Sequence, residues 1–120
     1  MKILVCGDRH WDDKHKILNA LDRDEFFPRQ SISTVIHGGC RGADTLAGEC
    51  AKELGFKEVI EFPADWAKYG NKAGPIRNRQ MLDEKPDIVL AFHSNLSKSK
   101  GTLDTVMEAN RRGIEVWLIG

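Results

Sequence analysis

Short apolar runs punctuate this chain, and between them the hydrophobic residues fall at helical spacing. Ile3 to Cys6 is continuous and apolar and ends in Gly7-Asp8-Arg9, as a buried parallel strand does where it runs into a loop. Asp12 or Asp13 can cap the helix that follows, in which Ile17, Leu18 and Leu21 share one face and Phe26-Phe27-Pro28 ends the run. Thr34-Val35-Ile36 is the second strand. From Thr45 to Leu54 a core stripe of Leu46, Ala47, Cys50, Ala51 and Leu54 predicts a helix closed by Gly55. Glu58 to Phe62 is the third strand. Pro63 to Ala73 reads as a loop, longer than most connections, that carries Trp66 and Tyr69.

Pro75 suits the first position of a helix. That places Arg77, Asn78 and Arg79 in its first turn and turns Met81 and Leu82 to the core. Asp87 to Phe92 is the fourth strand, and His93 to Lys100 is a polar loop. Gly101-Thr102 opens the last helix, with Leu103, Val106 and Met107 inward and Gly113 as its cap. Glu115 to Ile119 is the fifth strand. Strands and helices alternate strictly, which predicts an α/β fold with a parallel sheet. Right-handed crossovers make it a Rossmann-like three-layer sandwich: a five-stranded parallel sheet, order 3-2-1-4-5, with helices on both faces. Ligands of such sheets sit beyond the strand C-termini, where the order reverses.

The second strand runs into His37-Gly38-Gly39-Cys40-Arg41-Gly42-Ala43-Asp44. Strand, glycine turn and helix together offer backbone N–H groups at a helix N-terminus, and Gly38 to Gly42 are the expected donors to a ligand. The charges sharpen this. A helix N-terminus is partly positive, so a cation there is misplaced by roughly 0.3–1 kcal/mol. Yet Arg41 precedes the second helix, Arg77 and Arg79 fall at the start of the third, and Lys98 and Lys100 precede the fourth. All lie on the sheet edge where the crevice is expected. A bound anion, most simply a phosphate, converts these penalties into attraction. Asp44 and Asp104, both near helix starts, are carboxylates that can hold a ribose hydroxyl. Trp11 and Trp66 can stack on a base. The turn after the first strand is not G-x-G-x-x-G, and the glycine turn is not a P-loop.

Composition narrows the partners. Eighteen basic and eighteen acidic residues cancel, which removes the global electrostatic case for DNA, RNA or an anionic membrane. The three cysteines lack C-x-x-C spacing, so a reducing, cytoplasmic setting is expected rather than a disulfide framework. The four histidines show no ligand spacing, and no metal site is expected. No apolar run approaches membrane-spanning length, and the opening strand is too short for a signal peptide.

Taken together, these segments resemble the SLOG superfamily, which groups SMF/DprA proteins with the Lonely Guy (LOG) phosphoribohydrolases, and within it the YspA/YpsA-related branch. The resemblance runs over nearly the whole chain. It is carried by Gly7-Asp8-Arg9, the His37 to Asp44 turn, Phe62-Pro-Ala-Asp-Trp66, Ala73-Gly-Pro-Ile-Arg-Asn-Arg-Gln-Met81 and Gly101-Thr102. It implies that residues 1–120 form one SLOG-like Rossmannoid domain that binds a nucleotide or nucleotide-derived ligand, with no further cofactor, and that pairing into a homodimer would follow its relatives. The binding residues so implied are Gly7, Asp8, Arg9, Gly38, Gly39, Arg41, Gly42, Asp44, Trp66, Arg77, Asn78, Lys100, Gly101 and Thr102.

In LOG enzymes an Arg-Lys-x-x-Met segment and a Glu after Gly-Gly-x-Gly-Thr help to cleave the N-glycosidic bond of a nucleoside monophosphate. Arg77-Asn78-Arg79-Gln80-Met81 is similar to the first, with Asn for Lys. The second departs: Ser99-Lys100 replace the Gly-Gly-x lead-in and Thr105 stands where Glu is expected. Asp104 and Glu108 are the nearest carboxylates, so Arg77, Asp104 and Glu108 are the candidate catalytic residues. Three readings stay open at this stage: a nucleotide-binding module, a LOG-like phosphoribohydrolase, and a single-stranded nucleic-acid binder using Trp11, Trp66 and Tyr69 as stacking platforms.

Overall fold

The computed structural model describes residues 1–22, 32–95 and 99–120. In chain order the elements are β1 (Lys2–Gly7), α1 (Lys14–Leu21), β2 (Thr34–His37), α2 (Ala43–Glu53), β3 (Glu58–Glu61), α3 (Trp66–Tyr69), α4 (Ala73–Asp83), β4 (Ile88–Phe92), α5 (Lys100–Arg111) and β5 (Glu115–Ile119). The sheet order is β3-β2-β1-β4-β5 and every pair is parallel. This is the order the alternation predicted.

Alternating side chains of the central strands feed two separate cores. Ile3 and Val5 point to one face, where α1 and α2 bring Ile17, Leu21, Ala47, Cys50 and Ala51. Leu4 and Cys6 point to the other, where α4 and α5 bring Met81, Leu82, Val106 and Ala109. Helices therefore cover both faces of the sheet. Side-chain caps hold the helix starts: Asp13 accepts from the Lys16 N–H at 3.2 Å, and Ser99 accepts from the Thr102 N–H at 3.2 Å. Gly7 lets β1 and β4 close up, since a Cβ there would strike the Phe92 carbonyl and Ala43.

Three expectations need correction. The stretch read as a loop between Pro63 and Ala73 contains α3 and a 3-10 turn, Gly70–Lys72. The turn runs directly into α4, which starts at Ala73 rather than Pro75. Proline is tolerated anywhere in a first turn, because no N–H there has an intrahelical partner. Arg77, Asn78 and Arg79 therefore belong to the second turn of α4. Met107 is 62% exposed: α5 turns Thr102, Thr105, Val106 and Ala109 to the sheet, at helical spacing, and Met107 lies outside that stripe. Phe26, Phe27, Pro28 and Lys98 lie outside the described residues; α1 itself ends at Leu21.

Candidate functional site

Beyond the C-terminal ends of β1 and β4, where the strand order reverses, lies a cleft of about 900 Å³. Gly7, Asp8, Arg9 and His10 line it from the end of β1, and His93 from the end of β4. Cys40, Arg41 and Asp44 approach from the β2–α2 turn. Trp66, Gly74, Arg77 and Asn78 approach from α3 and α4, and Lys100, Gly101, Thr102 and Asp104 from α5. Arg41, Arg77 and Lys100 thus share one hollow. Among the described residues no acceptor takes the N–H of Lys100 or Gly101, the first two positions of α5.

The three cations differ in how free they are. Arg41 and Lys100 are exposed. Arg77 is only 8% exposed, and most of its donors are used inside the protein. Nη1 donates to the Gly38 carbonyl at 2.7 Å and to the Phe62 carbonyl at 3.4 Å, and Nε donates to Asn78 Oδ1 at 3.0 Å. Nη2 has only the Cys40 sulfur, at 3.6 Å. A guanidinium has five N–H groups, so one Nη2 hydrogen remains for the cleft.

The glycine turn departs from the expectation that its N–H groups face a ligand. The Gly38 N–H donates to Asp44 Oδ2 at 3.1 Å, and the Gly39 N–H to His37 Nδ1 at 3.1 Å. Gly38, Gly39 and Gly42 are absent from the cleft lining. Gly42 instead borders a smaller hollow of about 300 Å³ beside Trp11. Its φ is +78°, and a Cβ there would run into the backbone of Asp8 and Arg9. The Ala43 N–H donates to the Asp8 carbonyl at 3.2 Å. The turn is a brace between the ends of β1 and β2, with Arg77 bound to its carbonyl side.

Asp44 is the buried member of that brace, 6% exposed. Burial raises its pKa to about 6, against the opposing pull of the Arg77 guanidinium and of the Gly38 and Cys40 N–H groups. An unfolded aspartate titrates near about 3.9. The folded protein therefore holds this proton more tightly than the unfolded chain. The stabilisation this confers is complete below about pH 4 and is lost as pH rises through about 6. Relative to an Asp44→Asn variant, the wild type is expected to lose about 2–3 kcal/mol of stability between pH 4 and pH 7.5. Urea unfolding of both proteins at the two pH values measures this difference.

On the opposite wall Asn78 and Asp104 link α4 to α5. Asn78 Nδ2 donates to Asp104 Oδ2 at 3.0 Å and to the Gly101 carbonyl at 3.3 Å, and Arg79 Nη1 lies 3.5 Å from the same Asp104 oxygen. Asp104 falls in the second turn of α5 rather than at its start. Glu108 corrects the catalytic expectation: it is buried and does not line the cleft. Both its oxygens accept from Arg111, at 2.7 and 2.6 Å, and Arg79 and Arg112 stand within 4 Å. These arginines, Arg111 foremost by direct hydrogen bonding, pull its carboxyl down to about 2. Glu108 is an electrostatic rivet between α4 and α5.

The aromatic side chains divide. Trp66 is 58% exposed, lines the cleft and packs against Gly74, where a Cβ would lie 3.4 Å from its ring. Trp11 is half-buried and borders the smaller hollow rather than the cleft. It meets Phe92 edge-on with centroids 5.6 Å apart, and its indole N–H donates to the Asp13 carbonyl. Sequence reasoning missed His93 and Ser99 in the lining, and took Cys40 only as part of the glycine turn and Thr105 only as the residue in place of a glutamate. His93 was detectable, being the first residue beyond β4 at the edge already singled out. Ser99 was detectable as a serine directly before a helix. Cys6, Cys40 and Cys50 are free thiols, and burial pushes Cys6 well above the ordinary thiol range. Among the described residues no helix is long and apolar enough to cross a membrane.

This geometry has relatives. The family model for YspA, cpYpsA-related SLOG proteins (YAcAr) matches residues 1–69. The "Gene 61 protein" of Mycobacterium phage D29 is 38% identical over 119 residues, covering 96% of this chain and 93% of that protein. Among solved structures, the DNA processing protein A (DprA) of Streptococcus pneumoniae superposes with a TM-score of 0.69 at 18% identity. That match covers 99% of this chain and 50% of DprA, so the chain spans about half the length of that protein, and the likeness is one of fold.

Proposed function

This chain belongs to the YspA, cpYpsA-related SLOG family, and from that premise we propose that it binds a nucleotide or nucleotide-derived ligand in the cleft beyond β1 and β4. Family membership points to a nucleotide-related role. The observation that carries the proposal is the convergence of Arg41, Arg77 and Lys100 on one hollow, beside the first N–H groups of α5. Lys100 at the start of α5 and Arg41 just before α2 are unfavourable there by themselves and favourable once an anion lies between them. In this reading the phosphate sits against Lys100, Gly101, Thr102 and Arg41. The remaining Nη2 hydrogen of Arg77 serves the same anion. The base lies along Trp66. Residues 1–120 act as one binding unit, without a resident metal or cofactor.

A thermal-shift screen with mono-, di- and cyclic nucleotides tests this. A ligand present at a hundred times its Kd stabilises by about 2.7 kcal/mol, which raises the Tm by several degrees. A folded protein that shows no shift with any of them at millimolar concentration overturns the proposal. Removing the stacking surface sharpens it. Trp66→Ala is expected to weaken nucleotide binding by about tenfold or more, while leaving affinity for inorganic pyrophosphate within about twofold. Isothermal titration calorimetry with both probes reads the two effects separately.

A hydrolytic version of this reading rests on Asp104. Its carboxylate lines the cleft beside Asn78 and Arg79, and would supply negative charge to a developing oxocarbenium ion there. Glu108 has no part in it. Assaying the bound nucleotides for release of free base separates turnover from binding alone.

A further inference from the structure

We propose that Asp8 and His93 form a hydroxyl-binding pair on the floor of the cleft, and that this pair makes the protein select a ribose ligand over its deoxy counterpart. The inference rests on the nucleotide reading above and adds to it the sugar that the site accepts.

The two residues sit on adjacent strand ends, held by backbone bonds. The Asp8 N–H donates to the Phe92 carbonyl at 2.9 Å, and the His93 N–H donates to the Ile119 carbonyl at 2.9 Å. The Asp8 carbonyl accepts from Trp11 and Ala43. Neither residue can drift without disturbing the sheet edge. A site on rigid strand ends is positioned more sharply than one on a free loop.

Their side chains are each fixed on one side and open on the other. Asp8 Oδ1 accepts from the His10 N–H at 2.9 Å, which turns Oδ2 toward His93. His93 Nδ1 accepts from the Asn95 N–H at 2.9 Å. A neutral imidazole whose Nδ1 accepts carries its proton on Nε2. A donor, Nε2–H, therefore faces an acceptor, Oδ2, across 3.8 Å. That separation is too long for a direct hydrogen bond. A hydroxyl seated to one side of this gap, within about 3 Å of each atom, can accept from Nε2 and donate to Oδ2, satisfying both at once. Both residues line the cleft.

The other two aspartates of the cleft each commit an oxygen to a hydrogen bond within the protein. Asp44 Oδ2 takes the Gly38 N–H and lies deep beneath the glycine turn. Asp104 Oδ2 takes Asn78 Nδ2 and faces Arg79. Asp8 keeps an oxygen directed at an open donor rather than at a closed bond. Its chemistry suits the hydroxyl of a sugar, which both donates and accepts. It does not suit a phosphate oxygen, which the Asp8 carboxylate would repel.

The test is calorimetric titration of the full chain with AMP, GMP, CMP and UMP and with their 2′-deoxy and 3′-deoxy counterparts. The wild type is expected to bind at least one ribonucleotide about tenfold or more tighter than one of its deoxy forms, the worth of a hydrogen bond to a charged group. Asp8→Asn retains an oxygen for the His10 N–H but presents a donor to a donor. His93→Ala removes Nε2. Each is expected to cut that preference to about twofold, while affinity for the deoxy form changes by no more than about threefold. The deoxy affinity thereby reports that the variant has folded and kept its other contacts. A wild type that binds both forms equally overturns the pair and leaves the nucleotide reading standing. So does a preference that survives both substitutions, or an equal loss for both forms. A wild type that binds none of these nucleotides overturns both proposals.

Discussion

Arg77→Ala is expected to be the most damaging single substitution in the cleft, lowering stability by about 3–5 kcal/mol at neutral pH. The guanidinium is nearly inaccessible and ties three segments together: the Gly38 carbonyl after β2, the Phe62 carbonyl after β3 and Asn78 on its own helix. Truncation leaves two carbonyls short of a donor and removes the cation that offsets buried Asp44. Arg77→Lys is expected to recover less than half of the loss, because an ammonium lacks the planar fork that spans these acceptors. The damage also has a pH signature. Near pH 4 Asp44 is protonated in the folded state, and the penalty of an unbalanced carboxylate disappears. Urea midpoints of wild type, Arg77→Ala and Arg77→Lys at pH 4 and 7.5 separate the electrostatic share from the hydrogen-bonding share. Equal losses at both pH values would show that the lost carbonyl bonds carry the effect alone.

Gly42→Ala comes next, with an expected cost of about 3 kcal/mol or more. Its backbone, φ +78° and ψ −127°, is one that an L-residue adopts only under strain. A methyl group there would also strike the Asp8 carbonyl and the Arg9 backbone. Relief requires the β1 end to move away from α2, which breaks the Ala43 to Asp8 hydrogen bond and displaces the cleft floor. Gly55→Ala is the matching control. It shares a positive φ, +75°, but a Cβ there meets nothing within 4 Å, so its cost is expected to stay near 1 kcal/mol. Denaturant unfolding of the two variants distinguishes collision from strain.

The strand framework was legible because buried parallel strands leave a plain trace. Ile3 to Cys6, Thr34 to Ile36 and Glu115 to Ile119 fall inside or coincide with β1, β2 and β5. The cleft was legible too, since strict alternation fixes which sheet edge collects the loops. What stayed hidden was local. α3 has four residues, too few to show a period. In α5 Val106 turned inward as expected but Met107 did not, because the sheet-facing stripe runs from Val106 through the small or hydroxylated Thr102, Thr105 and Ala109. Glu108 was placed in the catalytic set because no spacing rule reveals that Arg79, Arg111 and Arg112 converge on it. The glycine turn was recognised as a feature but misread in direction. Glycines beside a carboxylate look alike in sequence whether their N–H groups greet a ligand or, as at Gly38, the protein's own Asp44.

The pairing of β1 with β4 has a kinetic consequence. The Lys2 N–H finds its acceptor on Asp87, 85 residues along the chain, and Ile3 lies beside Ile88 in the sheet. The innermost strand thus has one bare flank until Ile88 to Phe92 have been made. Closing so large a span comes before most of the reward for it, which slows folding. A ribosome-bound chain carrying only the first three strands would present an unprotected β1 edge to its neighbours. Assembly of this sheet is therefore a late event, completed when its second half arrives.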